Sequence, residues 1–557
     1  MGQRRVAGSA SPCYIRSSSA RSRITTANDE GGASACTVWA SLCSSSPDSM
    51  QSIALFFFLT LPWLNPFAPG PQPAAMPLLF SWACIAALLA AGDRGPIGIP
   101  AGRLVKVLML AWLGAGLLSS VMGLLQYFGA GDSLLPWMNQ AKPGEAFANL
   151  RQRNQFASLT SIALAALLWV PAHFNVAMGA GAPRRFDVKH PWLAQLAAGL
   201  LAAGNAASSS RTGLLQLAVL CALCWVWGGW RQPFVRRLLL TALLTYVLAT
   251  LVLPWLGGLD LVGHGMVARL RAGDMVCASR LTLWSNVLTL IAQKPWLGWG
   301  WGELDYAHYM VLYPGERFCD ILDNAHNLPL HLAVELGIPV ALAMCAALGW
   351  SVWHARPWRE TDPTRQMAWA VLAVIMLHSM LEYPLWYGPF QLAFGLCVWM
   401  LWLTPRKPSA GPHGHSLVAT TARLAFAAAL LVGVAYAAWD YHRISQIYRS
   451  PELRDPAYRD DTLDKVRGSW LFRNQVRFAE LTTTALTRGN AQWTFDTATG
   501  LLHYSPEPRV IEKVIESAVM LGRDDEALLH LVRYRAAFPD DYTKWRHANG
   551  LTGGTAD

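Results

Sequence analysis

The stretch "DNAHNLPLHLAVELGIP", Asp323 to Pro339, decides how this chain is read. Its second half is apolar and runs on into a long apolar segment. Its first half crowds Asp323, Asn324, His326 and Asn327 onto the lip of that segment. Polar and ionisable side chains are costly where they meet hydrocarbon, so a histidine between two asparagines at a membrane edge needs a task.

The surrounding chain is of the kind that meets hydrocarbon. It has 557 residues, 53% hydrophobic and only 14% charged, where a soluble protein carries about a quarter. Apolar runs close to the roughly 20 residues that cross a bilayer recur along most of the length. The fold class is therefore an all-α polytopic membrane protein. The net charge of +10 does not imply a nucleic-acid partner, because the basic residues are spread over short loops between apolar runs. Such loops orient membrane proteins. Residues 1–49 are Ser-rich, with no continuous apolar core and no secretory cleavage pattern. They read as an extension from a mis-assigned start, with Met50 the initiator, or as a disordered cytoplasmic tail; both readings leave them out of the fold.

Eleven spans are expected, at 51–68, 75–92, 104–129, 156–178, 191–208, 212–229, 238–257, 326–353, 367–383, 387–404 and 416–438. Basic residues follow every even-numbered span: Arg94, Arg103 and Lys106; Arg184, Arg185 and Lys189; Arg231, Arg236 and Arg237; Arg356, Arg359 and Arg365; Arg406 and Lys407. That pattern predicts a cytoplasmic N-terminus. The chain then divides into a transmembrane domain, 50–439, with an outward loop at 258–325, and an outward helical domain, 440–557. In that tail Val510, Ile511, Val514, Ile515, Ala518 and Val519 recur at helical spacing, as do Ala527, Leu528, Leu531 and Val532 after Gly522. Two amphipathic helices around a Gly turn resemble one tetratricopeptide-like repeat. A single pair cannot bury its faces alone, so it is expected to pack on the rest of the tail, on the membrane domain or on a partner.

Four outward stretches are chemically loaded: "NLRQRNQFAS" (Asn149–Ser158), "SSSRTG" (Ser208–Gly213), "SRLTLW" (Ser279–Trp284) with the Trp/Gly-rich "KPWLGWGWGELDYAH" after it, and "DNAHN", whose span later faces "LEYPLWYG" (Leu381–Gly388). Arg151, Arg153, Arg211 and Arg280 lie on the side that orientation leaves poor in positive charge, which suggests a task other than topology. Each stretch also has a plainer reading. His326 could be a helix-entry residue satisfied by carbonyls, Asn154 and Gln155 could cap span four, and Tyr383 and Trp386 could be interface aromatics. Glu303, Asp305, Glu316, Asp320 and Asp323 raise the question of a metal, but their spacing matches no ligand pattern. Cys221 and Cys224 sit inside an apolar span, where packing is the better reading. Cys277 and Cys319 both fall in the outward loop, where an oxidising compartment permits a bridge; two free thiols are the alternative.

Taken in order, Arg-Gln-x-Asn-Gln, Ser-x-Ser-Arg, a long loop with Arg and then Gly-Trp-Gly, and His-Asn-x-x-Leu resemble the O-antigen ligase and polymerase superfamily. "NLRQRNQFA" and "LEYPLWY" resemble its protein O-oligosaccharyltransferase branch, which glycosylates pilins. The resemblance covers residues 50 to roughly 440, with a C-terminal extension. It implies a multi-pass protein of a bacterial inner membrane with its site facing the periplasm. It implies a polyprenyl diphosphate-linked glycan as donor, a hydroxyl acceptor on a pilin-like protein or a lipid A core, and neither metal nor other cofactor. By motif it points to Gln155, Arg211, Arg280, His326 and Tyr383. We take His326, Arg280 and Arg211 as the expected catalytic residues, and Gln155, Asn154, Arg151, Asn327 and Tyr383 as substrate-binding.

These residue types suit the chemistry independently. A diphosphate departs with growing negative charge, which arginines pair with bidentately. A histidine can deprotonate the incoming hydroxyl or donate to the diphosphate. The alternatives are ligation to lipid A core, polymerisation of repeat units and, in another class, a transporter, which would place its ionisable residues near the bilayer midplane.

Overall fold

The computed structural model describes residues 47–64, 72, 74–92, 99–174, 191–260, 265–272, 276–403 and 417–550. Residues 1–50 separate as a unit of their own, of which only the four residues from Pro47 are described. Arg94, Arg184, Arg185, Lys189, Arg406 and Lys407 lie outside the described residues. All the regular structure described is helical.

The helices run α1 (Pro47–Leu64), α2 (Ala75–Ala91), α3 (Ala101–Tyr127), α4 (Arg153–Phe174), α5 (Pro191–Ala207), α6 (Arg211–Val226) and α7 (Pro233–Leu256). The long loop then carries α8 (Gly265–Ala272), α9 (Arg280–Gln293), α10 (Leu304–Met310) and α11 (Leu328–Leu336). The chain returns to the bundle with α12 (Ile338–Ala355), α13 (Pro363–Ser379), α14 (Gly388–Leu403) and α15 (Leu417–Ser445). The tail adds α16 (Thr462–Val466), α17 (Arg473–Thr483), α18 (Ala491–Leu501), α19 (Pro508–Met520), α20 (Asp524–Ala537) and α21 (Pro539–Ala548).

Helices stand at all eleven expected span positions. Among the described residues, five stretches are long and apolar enough to cross a membrane: Ala101–Tyr127, Arg153–Pro171, Pro233–Leu256, Ile338–Arg359 and Leu417–Tyr448. One expected span is corrected. The segment 326–353 is two helices, because Gly337 breaks it at φ 86°. The short first half, α11, packs against α9 of the long loop, and only α12 continues as an apolar helix of spanning length. So "DNAHN" opens a loop helix, not a membrane span.

Helix α4 is the pillar of the bundle, packed by α3, α5, α6 and α13. Lipid gives helices no hydrophobic reason to associate, so small residues and internal hydrogen bonds must do it. Gly116 lies against Ala163, and Gly204 against Ser120. Ser158 meets His378 at 2.9 Å and accepts from Gln216 at 2.6 Å, tying α4 to α13 and α6. Asn205 donates to Thr160 at 3.0 Å, tying α4 to α5. At one end of the bundle Trp227 donates to the Pro357 carbonyl and stands edge-on to Trp169. The buried Arg365–Glu360 pair, 2.8 Å, lies there too. Arg365, counted above as an orienting loop charge, is corrected to a structural ion pair.

The long loop is a folded layer. A Cys277–Cys319 disulfide, Cα–Cα 5.3 Å, closes it around α9 and α10. Helix α19 packs on α18, α20 and α21, and the tail's core takes in Tyr309 of α10. Tyr309 stacks on and hydrogen-bonds His530 at 2.9 Å. Tyr306 stacks on His503, whose ring meets Glu303 at 2.7 Å. The tail pair thus buries its faces on its own neighbours and on the loop.

Replacing Cys277 and Cys319 by Ser should destabilise the loop by roughly 3–4 kcal/mol on the chain-entropy estimate. Earlier protease cleavage within 280–310 would show it. Burial pulls His530 down to about 4, so the folded state binds fewer protons than the unfolded one between about pH 4 and its ordinary value near 6.5. Tail docking should be intact at pH 7 and weaken as pH falls through that window. Proteolytic release of the tail should rise correspondingly, and His530→Gln should flatten the dependence.

Candidate active site

The connections opposite the Trp169–Trp227 end bring the four loaded stretches together, each through the polar start of a helix. Gln152 begins α4 by accepting from the Gln155 N–H at 2.6 Å. Ser210 caps α6 by accepting from Gly213 N–H at 3.0 Å. Ser279 caps α9 by accepting from Thr282 N–H. Asn327 caps α11 by accepting from Leu330 N–H at 3.2 Å, and its amide donates to the Met380 carbonyl at 3.1 Å. Caps satisfy the unpaired N–H groups of a first turn. Here they also hand each helix's positive end to one place.

That place is occupied by Glu382, on the connection after α13. The carboxylate accepts from Arg280, residue one of α9, and from Asn154 at 3.0 Å on Oε1. Its Oε2 accepts from Gln152 at 3.4 Å and faces His326 Nδ1 at 3.5 Å. Asn154 in turn accepts from the Ser210 hydroxyl at 2.6 Å, which ties in α6. The Glu382 side chain is only 12% exposed. Burial alone would push its carboxyl up. The His326 ring and the Arg280 guanidinium more than offset that and hold it below the usual carboxylate range, so it is ionised.

His326 is held hard. Its backbone is left-handed at φ 49°, its N–H donates to Asn324 Oδ1 at 2.9 Å, and its ring stands edge-on to Tyr383 at 5.0 Å. Six non-glycine residues have positive φ among the described residues; Arg151, Ser209 and His326 lie in the loaded stretches, and Ala148 immediately precedes the first. Strain of this kind, about 1–3 kcal/mol per residue, persists where surrounding structure over-determines a functional loop.

The expected residues divide as follows. Arg280, His326, Asn154 and Tyr383 meet around Glu382. Gln155 joins through Tyr387, whose hydroxyl it lies near enough to influence. Neither Asn154 nor Gln155 serves as the α4 cap, a role that falls to Gln152. Asn327 ties the site to Met380. Arg211 arrives as residue one of α6, next to Ser210. Arg151 turns to the Pro136 carbonyl at 3.3 Å and anchors its own loop. Trp386 stacks on Trp301 and stands edge-on to His331, next to the site. Among the described residues, no three acid, His or Cys side chains gather in a way that could hold a metal ion.

Glu382 itself was missed, although a lone carboxylate beside an apolar helix, in a stretch otherwise aromatic and apolar, is a functional signal by default. The Gly-Trp-Gly segment explains its own composition. Trp299 N–H donates to the Val334 carbonyl at 2.8 Å, Gly300 N–H to Glu335 at 3.0 Å, and Ile338 N–H to Pro295 at 2.8 Å. Backbone lies on backbone, so Gly298 and Gly337 have no room for a Cβ. This seam fixes α11, and with it His326.

The site's segments coincide with three family profiles. "O-Antigen ligase" matches residues 196–345, "Virulence factor membrane-bound polymerase, C-terminal" matches 366–550, and "Protein glycosylation ligase" matches 146–169. The chain is thus similar to the O-antigen ligase and polymerase superfamily, and within it to the protein O-oligosaccharyltransferase branch. It is 23% identical over 303 residues to a general O-oligosaccharyltransferase of Acinetobacter baylyi, covering 51% of this chain and 48% of that protein. It is 23% identical over 258 residues to a ComP-specific O-oligosaccharyltransferase of the same organism, covering 46% and 43%. The matches therefore span about half the length of these relatives or less. No solved structure matches.

Gly337→Ala should cost about 1–3 kcal/mol, because a Cβ there meets the Trp296 carbonyl at a left-handed φ. A lowered unfolding temperature in detergent would show it. Gly349→Ala in α12, where a Cβ meets nothing within 4 Å, should leave that temperature unchanged or slightly raised.

Proposed function

We infer that the chain is a membrane glycosyltransferase. It moves a preassembled oligosaccharide from a polyprenyl diphosphate carrier to a Ser or Thr hydroxyl of a periplasmic protein such as a pilin. One observation carries the reading. Arg280, His326, Asn154 and Gln155 come from segments matched by ligase and glycosylation profiles, and they gather with Glu382 where four helices start.

The arrangement supports the chemistry as follows. The acceptor oxygen attacks the anomeric carbon while its proton passes to His326. The bond from that carbon to the diphosphate oxygen breaks, and its electron pair leaves with the diphosphate. Arg280, 34% exposed and so open to a ligand, meets the charge that develops, with Arg211 as the second cation of the proposal. Helix N-termini favour the same anion. Electrostatic groups placed where charge develops are commonly the largest catalytic contribution. Helix α9, which begins with Arg280, exposes Leu281 and Leu288, and exposed Trp296 and Leu297 follow it. This apolar path to the arginine favours a donor with a lipid tail.

We place the protein in a bacterial inner membrane with eleven spans and with the site, the loop and a tetratricopeptide-like tail in the periplasm. Arg231, Arg356 and Arg359 lie on connections at the opposite end of the bundle from Glu382, as an inward basic face requires. The disulfide favours an oxidising compartment for the loop. The ligase and polymerase profiles favour, as the second reading, transfer to a lipid A core or to a growing glycan. A transporter fits less well, since the ionisable cluster lies at helix ends and not at mid-bundle.

The test uses purified protein, lipid-linked glycan and an acceptor protein, with a metal chelator present and transfer read by mass. Arg280→Lys keeps charge but loses the planar fork, so it should be nearly as damaging as Arg280→Ala. Each should lower the rate by about 10²–10³. His326→Ala should cost at least as much at normal membrane levels, and Arg359→Ala should leave transfer nearly intact. Full activity in the His326 and Arg280 variants would refute the site. Loss of wild-type activity in chelator would refute metal independence.

A further inference from the structure

We propose that Glu382 is a positioning residue that sets the tautomer of His326 and so makes Nε2 the atom that takes the acceptor's proton. The inference rests on the transferase reading above and deepens it. Sequence left His326 with two roles, base toward the hydroxyl or donor toward the diphosphate. The geometry points to the first.

The Nδ1 atom of His326 is buried without a hydrogen-bond partner and faces Glu382 Oε2 at 3.5 Å. An ionised carboxylate accepts only, so closing that gap requires the hydrogen on Nδ1. The neutral ring then has its lone pair on Nε2. Unliganded active sites often show such contacts long, and they tighten when substrate binds. The left-handed backbone and the Asn324 contact fix the residue's main chain, and the ring itself packs edge-on to Tyr383. Glu382 is fixed from its other side by Arg280 and Asn154, so it cannot follow a ring that moves away. As Nε2 takes the acceptor's proton, the ring becomes an imidazolium, and the carboxylate beside Nδ1 stabilises that charge. Asp323 is the competing partner, because it too lies within electrostatic reach of His326. Among the described residues the ring's ion-pair contact is with Glu382 Oε2, at 3.5 Å, and not with Asp323, and Glu382 also holds the arginine for the leaving group. One carboxylate thereby spaces the base from the cation.

If Glu382 acts through His326, removing both should cost no more than removing the histidine. Wild type, Glu382→Gln, His326→Ala, Arg280→Ala and the doubles Glu382→Gln/His326→Ala and Glu382→Gln/Arg280→Ala are assayed for transfer with the full-length protein. Glu382→Gln should lower kcat about 100-fold or more while the donor KM moves less than about threefold. The Glu382→Gln/His326→Ala double should match His326→Ala within about threefold, whereas the Arg280 double, whose two residues share a hydrogen bond, should still fall well below Arg280→Ala. Asp323→Asn combined with His326→Ala should be multiplicative. The inference is overturned if the His326 double is multiplicative, or if the Arg280 double is no slower than Arg280→Ala. Should Glu382→Gln fail to accumulate in the membrane, Glu382→Asp, which withdraws the carboxylate by one methylene, takes its place in the same cycle. A wild type that transfers nothing while a related transferase works on the same substrates would defeat the transferase reading, and the inference with it. An active wild type without coupling would defeat the inference alone.

Discussion

One buried carboxylate holds this site together. Glu382 is bonded by the starts of α4 and α9, faced by the residue before the α11 cap, and linked to α6 through Asn154 and Ser210. An ionised group that is 12% exposed is tolerated only with such partners, since an unpaired buried charge is strongly destabilising. The dependence is mutual. The carboxylate needs the donors, and the connections that meet there, three of them with a left-handed residue, need a common point to close on. Under the proposed function, a diphosphate at Arg280 meets donors already gathered around an anion.

The bundle below and the loop above solve different physical problems. Within the bundle, Asn205, Gln216, Ser158 and His378 tie helices to α4 by hydrogen bonds that lipid cannot supply. In the loop the ties are covalent and backbone ones: the Cys277–Cys319 bridge and the seam between residues 295–300 and 334–338. The tail adds aromatic stacking on α10, through Tyr306 with His503 and Tyr309 with His530. Tail docking therefore bears on α10, and α10 follows directly on the segment that fixes α11 and His326. Under the proposed function, the tail acts on positioning and bond making belongs to the site.

Much of the fold was legible because its signals are local. Apolar runs located a helix at each expected position, and the spacing of Val510, Ile511, Val514 and Ile515 located α19. The break at Gly337 was also written in the sequence, as a glycine followed within two residues by Pro339, but continuous hydrophobicity concealed it. Arg365 read as a loop charge because its partner, Glu360, is itself a charged loop residue, and burial is invisible in sequence. At the site, the residue types of Arg280, His326 and Asn154 announced their chemistry. The node joining them did not, since Glu382 lies 228 residues from Asn154 and 102 from Arg280. Pairing at that distance is a property of topology.

The central claim is that the helix starts around Arg280 form a seat for a lipid diphosphate. The most direct measurement is equilibrium binding of a polyprenyl diphosphate that carries no glycan, to wild type, Arg280→Lys and Arg359→Lys in detergent or nanodiscs. The account predicts that Arg280→Lys, which keeps the charge and loses the planar fork, weakens binding at least about tenfold, while Arg359→Lys binds as wild type does. Equal affinity in all three proteins would contradict it.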